Sequence, residues 1–273
     1  NMTERKQYGY YTPGGTPTLL RTFTYTYLAT SDYSSRHIWN RVLTAAVQKP
    51  GGSSIPLVTN TYDWYPTGIS GISGWQQHDD NIYTQYMIYR GNVTRSVSPG
   101  KAVNMTYNMG GAVLTTSDDY GHSVTQTPDS GKNYAVPSSI TTGSLSTSFS
   151  WNGYMAMTGS TAPNSATSSF SYDSYARPSS TTAANGRVTT YTYNTSPNYT
   201  VATTGTRWTK TTVDGFGRPM KVESGYNTGS TPTTVAIVDT LNAPCACTPV
   251  GKLWKTSLPY APGGTVYWTE TLY

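Results

Sequence analysis

The side chains able to do acid–base or metal chemistry are few and scattered. The histidines are His37, His78 and His122, and His78-Asp79-Asp80 is the one tight grouping of imidazole with carboxylates. A metal there would need at least one more ligand, which His122 with Asp118 and Asp119 could supply if the two loops met. The competing and preferred reading is an Asx-type turn, in which the carboxylates accept nearby backbone N–H groups. Cys245 and Cys247 are the whole thiol inventory. Two cysteines do not complete a four-ligand zinc site. An i to i+2 disulfide is strained, so a strained disulfide and two reduced thiols both stay open. Residues 68–74, GISGISG, contain no G-x-S-x-G register, and no phosphate-binding or dinucleotide fingerprint is present. Most of the 13 acids fall in turn-like contexts, which leaves no pair to nominate for glycoside hydrolysis. No catalytic, metal or cofactor residues are assigned, and the chain is expected not to be an enzyme.

The elements that carry these residues are β-strands. Only 11% of the residues are charged, against roughly 25% in an average domain. The chain holds 24 Tyr and 7 Trp and is rich in Thr and Ser, which favours strands over helices. The 26 Gly and 17 Pro suit frequent turns. The net charge of +5 is spread singly along the chain, so nucleic-acid binding is not expected. No apolar run reaches the roughly 20 residues of a membrane span. The chain begins at Asn1 without a signal peptide, which suits a mature product or a segment of something longer.

An aromatic-Asp/Asn signature recurs at Tyr107-Asn108, Trp151-Asn152, Tyr172-Asp173, Tyr193-Asn194 and, degenerate, Val213-Asp214. The steps are 44, 21, 21 and 20 residues, the first spanning two units with a weak intermediate at Asp118–His122. Tyr62-Asp63 is an isolated match. Within a unit, Tyr172 leads into a turn at Asp173–Pro178. Asn185-Gly186 then reads as a two-residue hairpin turn, since both residue types tolerate positive φ. In the strand that follows, Val188, Thr190 and Thr192 fall on one face and Thr189, Tyr191 and Tyr193 on the other. Residues 38–48 read as a strand, and 64–81 and 225–234 as Gly-rich surface loops. Exposed Tyr and Trp could stack on sugars, but cross-strand aromatic ladders are the preferred expectation.

The unit Tyr172-Asp173-x-x-Ala176-Arg177, then Asn185-Gly186, then Thr190-Tyr191-Thr192-Tyr193-Asn194 resembles the RHS or YD repeat of secreted bacterial proteins. Asp214-Gly215-Phe216-Gly217-Arg218 matches its DxxGR element, and Arg90-Gly91-Asn92-Val93 its GN variant. The resemblance implies an all-β fold in which repeated short hairpins form a spiralling antiparallel β-sheet, shell-like in character. Residues 1–106 are expected to be a divergent β-repeat region with a Gly-rich loop, and 107–223 the YD-repeat region. Residues 224–273 are expected to be an inter-repeat insertion running into a further repeat. The implied role is a non-catalytic extracellular scaffold, part of a shell or of a surface fibre or tube. The alternative is an adhesin that binds glycans through Tyr and Trp. Expected partners are further repeats of the same chain or identical neighbouring subunits, with an enclosed toxin cargo or surface glycans. The location is secreted or cell-surface. Asp173 and Asp214 are expected to accept turn hydrogen bonds, and Gly217 to permit a left-handed backbone that Ala176 shows to be dispensable. Arg177 and Arg218 are expected to lie over Tyr rings or to bridge to a turn Asp of an adjacent strand.

Overall fold

A computed structural model describes residues 1–10, 14–66, 68–76, 79, 82–245 and 248–271, with the side chains of 244, 245 and 248–250 left undescribed. The fold is all-β, with 20 strands among the described residues. It divides into two units, Asn1–Ala156 and Met157–Tyr273.

The first unit contains β1 (Glu4–Tyr8), β2 (Leu19–Tyr27), β3 (Val42–Gln48), β4 (Ile55–Tyr62) and β5 (Val93–Ser98). It continues with β6 (Lys101–Tyr107), β7 (Val113–Asp118), β8 (Ser123–Pro128), β9 (Pro137–Thr142) and β10 (Leu145–Trp151). Each pairs antiparallel with the next. A single helical turn, α1 (Ser31–Ser34), sits between β2 and β3. The second unit repeats the arrangement with β11 (Met157–Thr161), β12 (Thr167–Tyr172), β13 (Pro178–Thr182), β14 (Val188–Thr195) and β15 (Asn198–Thr204). Then follow β16 (Arg207–Val213), β17 (Pro219–Thr228), β18 (Thr231–Cys245), β19 (Thr248–Ser257) and β20 (Trp268–Glu270). These too pair in sequence order.

Thr, Ser, Val and Tyr dominate the strands because β-branched and aromatic side chains fit a pleated surface. Alternation is visible in β14, where Thr189, Tyr191 and Tyr193 are partly covered while Val188, Thr190 and Thr192 are exposed. In a meander, turns after even-numbered strands fall on one edge of the sheet and turns after odd-numbered strands on the other. Tyr27, Tyr62, Tyr107, Trp151 and Tyr172 all end even-numbered strands and Tyr193 lies two residues before the end of another, so within each unit the signature marks a single edge. At Tyr27, Tyr62, Tyr107, Tyr172 and Val213 the pairing register slips just before the turn. Such irregularities re-aim the side chain beside them.

Little of this sheet is buried. Among the described residues, the apolar side chains at or below 9% exposure are Leu28, Tyr33, Ala45, Ile69, Ala102 and Met109 in the first unit, and Trp208 in the second. Trp208 lies against Gly225, where an added Cβ would meet the indole at 2.7 Å and the Thr233 carbonyl at 1.9 Å, so only glycine fits.

Three expectations change. Residues 225–234 are not a loop. β17 and β18 pair through Thr228↔Thr231, with Gly229 at φ 62° in the tight turn. Glycine, serine and threonine there build a hairpin tip between alternating strands. Of residues 38–48, only Val42–Gln48 is strand; 38–41 lead in from α1. Asn185-Gly186 is not a two-residue turn. The Ala183 N–H donates to the Arg187 carbonyl (2.9 Å) and the Gly186 N–H to the Ala183 carbonyl (2.8 Å). Of the pair, Gly186 takes positive φ (78°), because the loop spans 183–187 with the left-handed residue fourth.

Ala176 occupies that fourth position at φ 60°, as Gly217 does at φ 77°. The glycine is dispensable; the left-handed backbone is not. A non-glycine residue there carries about 1–2 kcal/mol of strain, and glycine adds back roughly 0.5–1 kcal/mol of entropy. Ala176→Gly is therefore expected to raise stability by about 0.5–1 kcal/mol, read as a higher melting temperature. A lower one would show that the turn is not strained.

Candidate functional site

The chemistry-bearing side chains of the repeat are spent on the edge turns. Asp173 shows the pattern: its Oδ1 accepts the N–H groups of Tyr175 (2.9 Å) and Arg177 (3.0 Å). The Asp173 N–H donates to the Arg177 carbonyl (2.9 Å) and the Ala176 N–H to the Asp173 carbonyl (3.0 Å), closing a five-residue loop. Asp214 repeats it with Phe216 and Arg218, both at 2.9 Å. Asn108, Asn152 and Asp118 do the same with the residues two and four positions on.

The choice between Asp and Asn follows from the fifth residue. Arg177 and Arg218 donate through Nε to the second carboxylate oxygen of Asp173 (2.8 Å) and Asp214 (2.7 Å). His122 Nδ1 lies 2.7 Å from Asp118 Oδ2. Where the fifth residue is Ala112 or Ala156, one oxygen suffices and asparagine stands in the turn. The arginines thus bridge to the Asp of their own turn, not to one on an adjacent strand, because the four-residue separation already brings the side chains together.

The aromatic of the signature has its own task. The hydroxyls of Tyr107, Tyr172 and Tyr193 donate to the carbonyls of Val93 (2.8 Å), Met157 (2.8 Å) and Pro178 (2.7 Å), and the Trp151 indole to that of Pro137 (2.7 Å). Each acceptor is the first residue of the preceding strand. Tyr62 makes the same bond to Val42 (2.6 Å) and Tyr27 reaches Met2 (2.7 Å). These tyrosines clamp ring tip to backbone where ring-on-ring ladders were expected. The Arg177 guanidinium lies 4.2 Å from the centre of the Tyr193 ring, tying one repeat's turn to the next repeat's clamp. Arg218 lies over Phe216 at 5.2 Å. Asn194 departs from the pattern: β14 runs on to Thr195, and Asn194 Oδ1 accepts from Ser196 (3.1 Å).

Tyr62-Asp63 holds the least expected feature. Asp63 is 6% exposed. Its carboxylate accepts the backbone N–H groups of Arg90 (2.8 Å), Gly91 (2.5 Å) and Asn92 (2.9 Å) and the Tyr65 hydroxyl (3.0 Å). The Asp63 N–H donates to the Asn92 carbonyl (2.9 Å), and Gly91 has φ 74°. This is the same edge turn, opened after its first residue to admit segment 64–88. Burial, reinforced by the Asp63 charge, pushes the Tyr33 hydroxyl well above its ordinary range, and burial does the same at Tyr65.

The described residues of segment 64–81, expected as a surface connection, make contacts back onto the edge. Ile69 is buried, the Met109 N–H donates to the Ser70 carbonyl (2.9 Å), and the Trp75 indole donates to the Asn133 carbonyl (2.9 Å). Arg90 donates to the carbonyls of Met87 (2.6 Å), Thr84 (2.8 Å) and Met109. The isolated Tyr62-Asp63 match and the Arg90-Gly91-Asn92 run were both visible in sequence. Their union, across 29 positions, was not.

His78 and Asp80 lie outside the described residues, as do Cys247 and the side chain of Cys245. Asp79 Oδ1 accepts the Ile82 N–H (3.1 Å). Asp119 pairs with Arg95 (2.8 Å), so Asp118 and Asp119 each have a local partner. Among the described residues no group of three metal-ligating side chains converges, and no helix is long and apolar enough to cross a membrane.

These features define a class of structure: a sequential antiparallel meander whose hairpins are closed on one edge by Asx turns and aromatic clamps. No family model and no curated protein matches the chain. Among solved structures, a crystal structure of the TcdB2-TccC3 complex and the Photorhabdus luminescens Tc holotoxin pore each match with a TM-score of 0.52 at 11% identity. Each match covers 93% of this chain and 15% of the other, so the chain spans a small part of the length of these toxin chains. The likeness is one of fold.

Asp63→Asn would set an amide N–H₂ against buried backbone donors, with an expected loss of roughly 2–4 kcal/mol. Limited proteolysis should then cut within 64–88 first; wild-type resistance there would refute the latch. The hydrogen bond from His122 depresses the Asp118 carboxyl. At Asp214 the backbone and side-chain bonds from Arg218 depress it, and at Asp173 burial, which raises it, is outweighed by the bonds and charge of Arg177 together with the Tyr175 N–H. A carboxylate depressed by folding contributes stability above its unfolded pKa, about 3.9, and loses it as pH falls through the folded value. The melting temperature should drop below about pH 4, and Arg218→Ala should lower it at neutral pH while flattening that acid drop. An unchanged profile in the variant would count against the pair.

Proposed function

We propose that this chain is a stretch of YD-repeat wall: a non-catalytic structural scaffold located outside the cell, part of a larger shell or of a surface fibre or tube. Its partners are continuing repeats of the same chain or identical neighbouring subunits. In the shell form, the enclosed cargo is a toxin.

The observation that carries this reading is the mismatch between sheet area and core. Among the described residues each unit is a ten-stranded meander with very few side chains below a tenth exposed, and large apolar residues such as Tyr175 and Phe216 stand open at 77% and 70%. An isolated sheet normally buries at least one face against a second layer. Here the stabilising groups are concentrated at the turn edge, as expected of a unit that is extended by more of the same and contacts mainly its neighbours. The shared fold with Tc toxin chains, in which a segment of this size is a small part, supports the scaffold reading.

Cryo-electron microscopy of the protein purified from its native source tests it. The expected images are hollow particles or regular tubes whose wall is one sheet thick and contains this segment. Compact solid particles with this segment folded around a central cleft would overturn it.

A further inference from the structure

Two of the loops contain an Asn-Gly step, Asn152-Gly153 and Asn185-Gly186. In such a step the glycine backbone nitrogen can attack the asparagine side-chain carbonyl carbon, unhindered by a Cβ. The attack needs a nucleophile free to lose its proton and an open approach. It also needs support for the negative charge that develops on the carboxamide oxygen.

Asn152-Gly153 meets all three conditions. Asn152 Oδ1 accepts the N–H groups of Tyr154 (3.1 Å) and Ala156 (2.9 Å). Two backbone donors fixed on one carbonyl oxygen are the arrangement that stabilises an oxyanion. To reach them, the side chain folds over the loop that begins at Gly153. The Asn152 backbone N–H donates to the Ala156 carbonyl (3.0 Å) and the Met155 N–H to the Asn152 carbonyl (3.3 Å). Among the described residues the Gly153 N–H has no acceptor, and a Cβ added there would meet nothing within 4 Å.

Two comparable sites each lack a part. Asn108 holds its oxygen in the same way, on the Gly110 and Ala112 N–H groups, both at 3.0 Å. The next residue, Met109, is buried, and its N–H is spent on the Ser70 carbonyl (2.9 Å). At the second step, the Gly186 N–H donates to the Ala183 carbonyl (2.8 Å), and Asn185 Oδ1 accepts one N–H, from Arg187 (3.1 Å). The acid form of the Asn152 turn already exists in this fold. Asp214-Gly215 occupies the same two positions of an edge turn, with Oδ1 on the Phe216 and Arg218 N–H groups.

We propose that Asn152-Gly153 is a self-modifying site that converts the Asn152 carboxamide to a carboxylate, with water as the one co-reactant. The Gly153 nitrogen loses its proton to solvent and bonds to Asn152 Cγ. The Cγ–Nδ2 bond then breaks, and ammonia leaves with a proton taken up from solvent. Water adds to the resulting cyclic imide. Cleavage of its Cγ–N bond gives aspartate in the geometry of Asp214, and cleavage of the backbone C–N bond gives the β-linked isomer. The net exchange is amide plus water for acid plus ammonia, and the edge gains a negative charge. This conversion goes beyond the scaffold reading and is independent of it: a hollow wall whose Asn152 stays an amide overturns the conversion alone.

The test is peptide mapping by mass spectrometry of the full chain, incubated in mildly alkaline buffer both folded and in denaturant. Asn152 is expected to convert roughly tenfold or more faster in the folded chain, because only there is its oxygen held by two donors. Asn185 should show the reverse order, since folding engages its nucleophile. Gly153→Ala, whose Cβ meets open space, should remove the conversion at Asn152 without lowering the melting temperature. Asn152 converting no faster folded than denatured, converting no faster than Asn185 in the folded chain, or converting at an undiminished rate in the variant would each overturn the proposal.

Discussion

At the edge of a one-layer sheet, each hairpin must reverse direction while its loop N–H groups lose their strand partners. Water can take some of them, but a loop left to water would be free to move and would not hold the next strand in register. The side-chain oxygen placed one residue beyond the strand resolves this constraint. Asp173 and Asp214 each take two N–H groups of their loop on one oxygen, and the loop's own backbone bonds close around them. Once that loop is fixed, the fourth residue has to be left-handed, whether it is Gly217, Ala176, Met155 or Ser165. Strand register, the aim of the clamping aromatic and the stacking of Arg177 on Tyr193 all follow.

A sheet stabilised this way distributes its energy differently from a domain with a central core. Each aromatic clamp is a neutral hydrogen bond of roughly 0.5–1.5 kcal/mol, and each turn adds a charge-assisted or carboxamide bond set of its own. The terms are local and repeat along the sheet, so damage at one turn should remain near that turn. This accounts for the tolerance of the pattern. Val213 has no polar tip to clamp and Ala183 no oxygen to cap its loop, yet the strands on either side still pair.

What was legible in the sequence follows from the same locality. The 21-residue spacing of the signature, the face alternation of Val188–Tyr193 and the all-β class depend on residues close in the chain, and each left a visible pattern. The rule relating Asp to a cation four residues on, and Asn to alanine, is equally readable in Asp173-Arg177 and Asn152-Ala156. The loops at 162–166 and 183–187 were harder, since Ala162 and Ala183 lack the marking oxygen. Residues 225–234 were misread because glycine, serine and threonine compose a hairpin tip as readily as a loop. The bonded cluster of Arg95, Asn104 and Asp119 joins two strands and a turn, and no single stretch of sequence displays it.

The opened turn at Asp63 shows how such a sheet can take up new material without losing its register. By logarithmic scaling, lengthening a five-residue loop to the span 63–92 adds only about 1.5 kcal/mol of closure entropy. Asp63 meets that cost by accepting on both oxygens, which is why asparagine would not serve there. Its four bonds restore the ends of the loop to the ordinary turn geometry, and β4 and β5 pair as their neighbours do. The segment between those ends is then free to vary in sequence, provided it finds its own support, which it does on Met109 and Asn133. The capped edge is therefore the place where a repeat sheet can acquire additional exposed side chains such as Trp64 while the pairing of its strands stays unchanged.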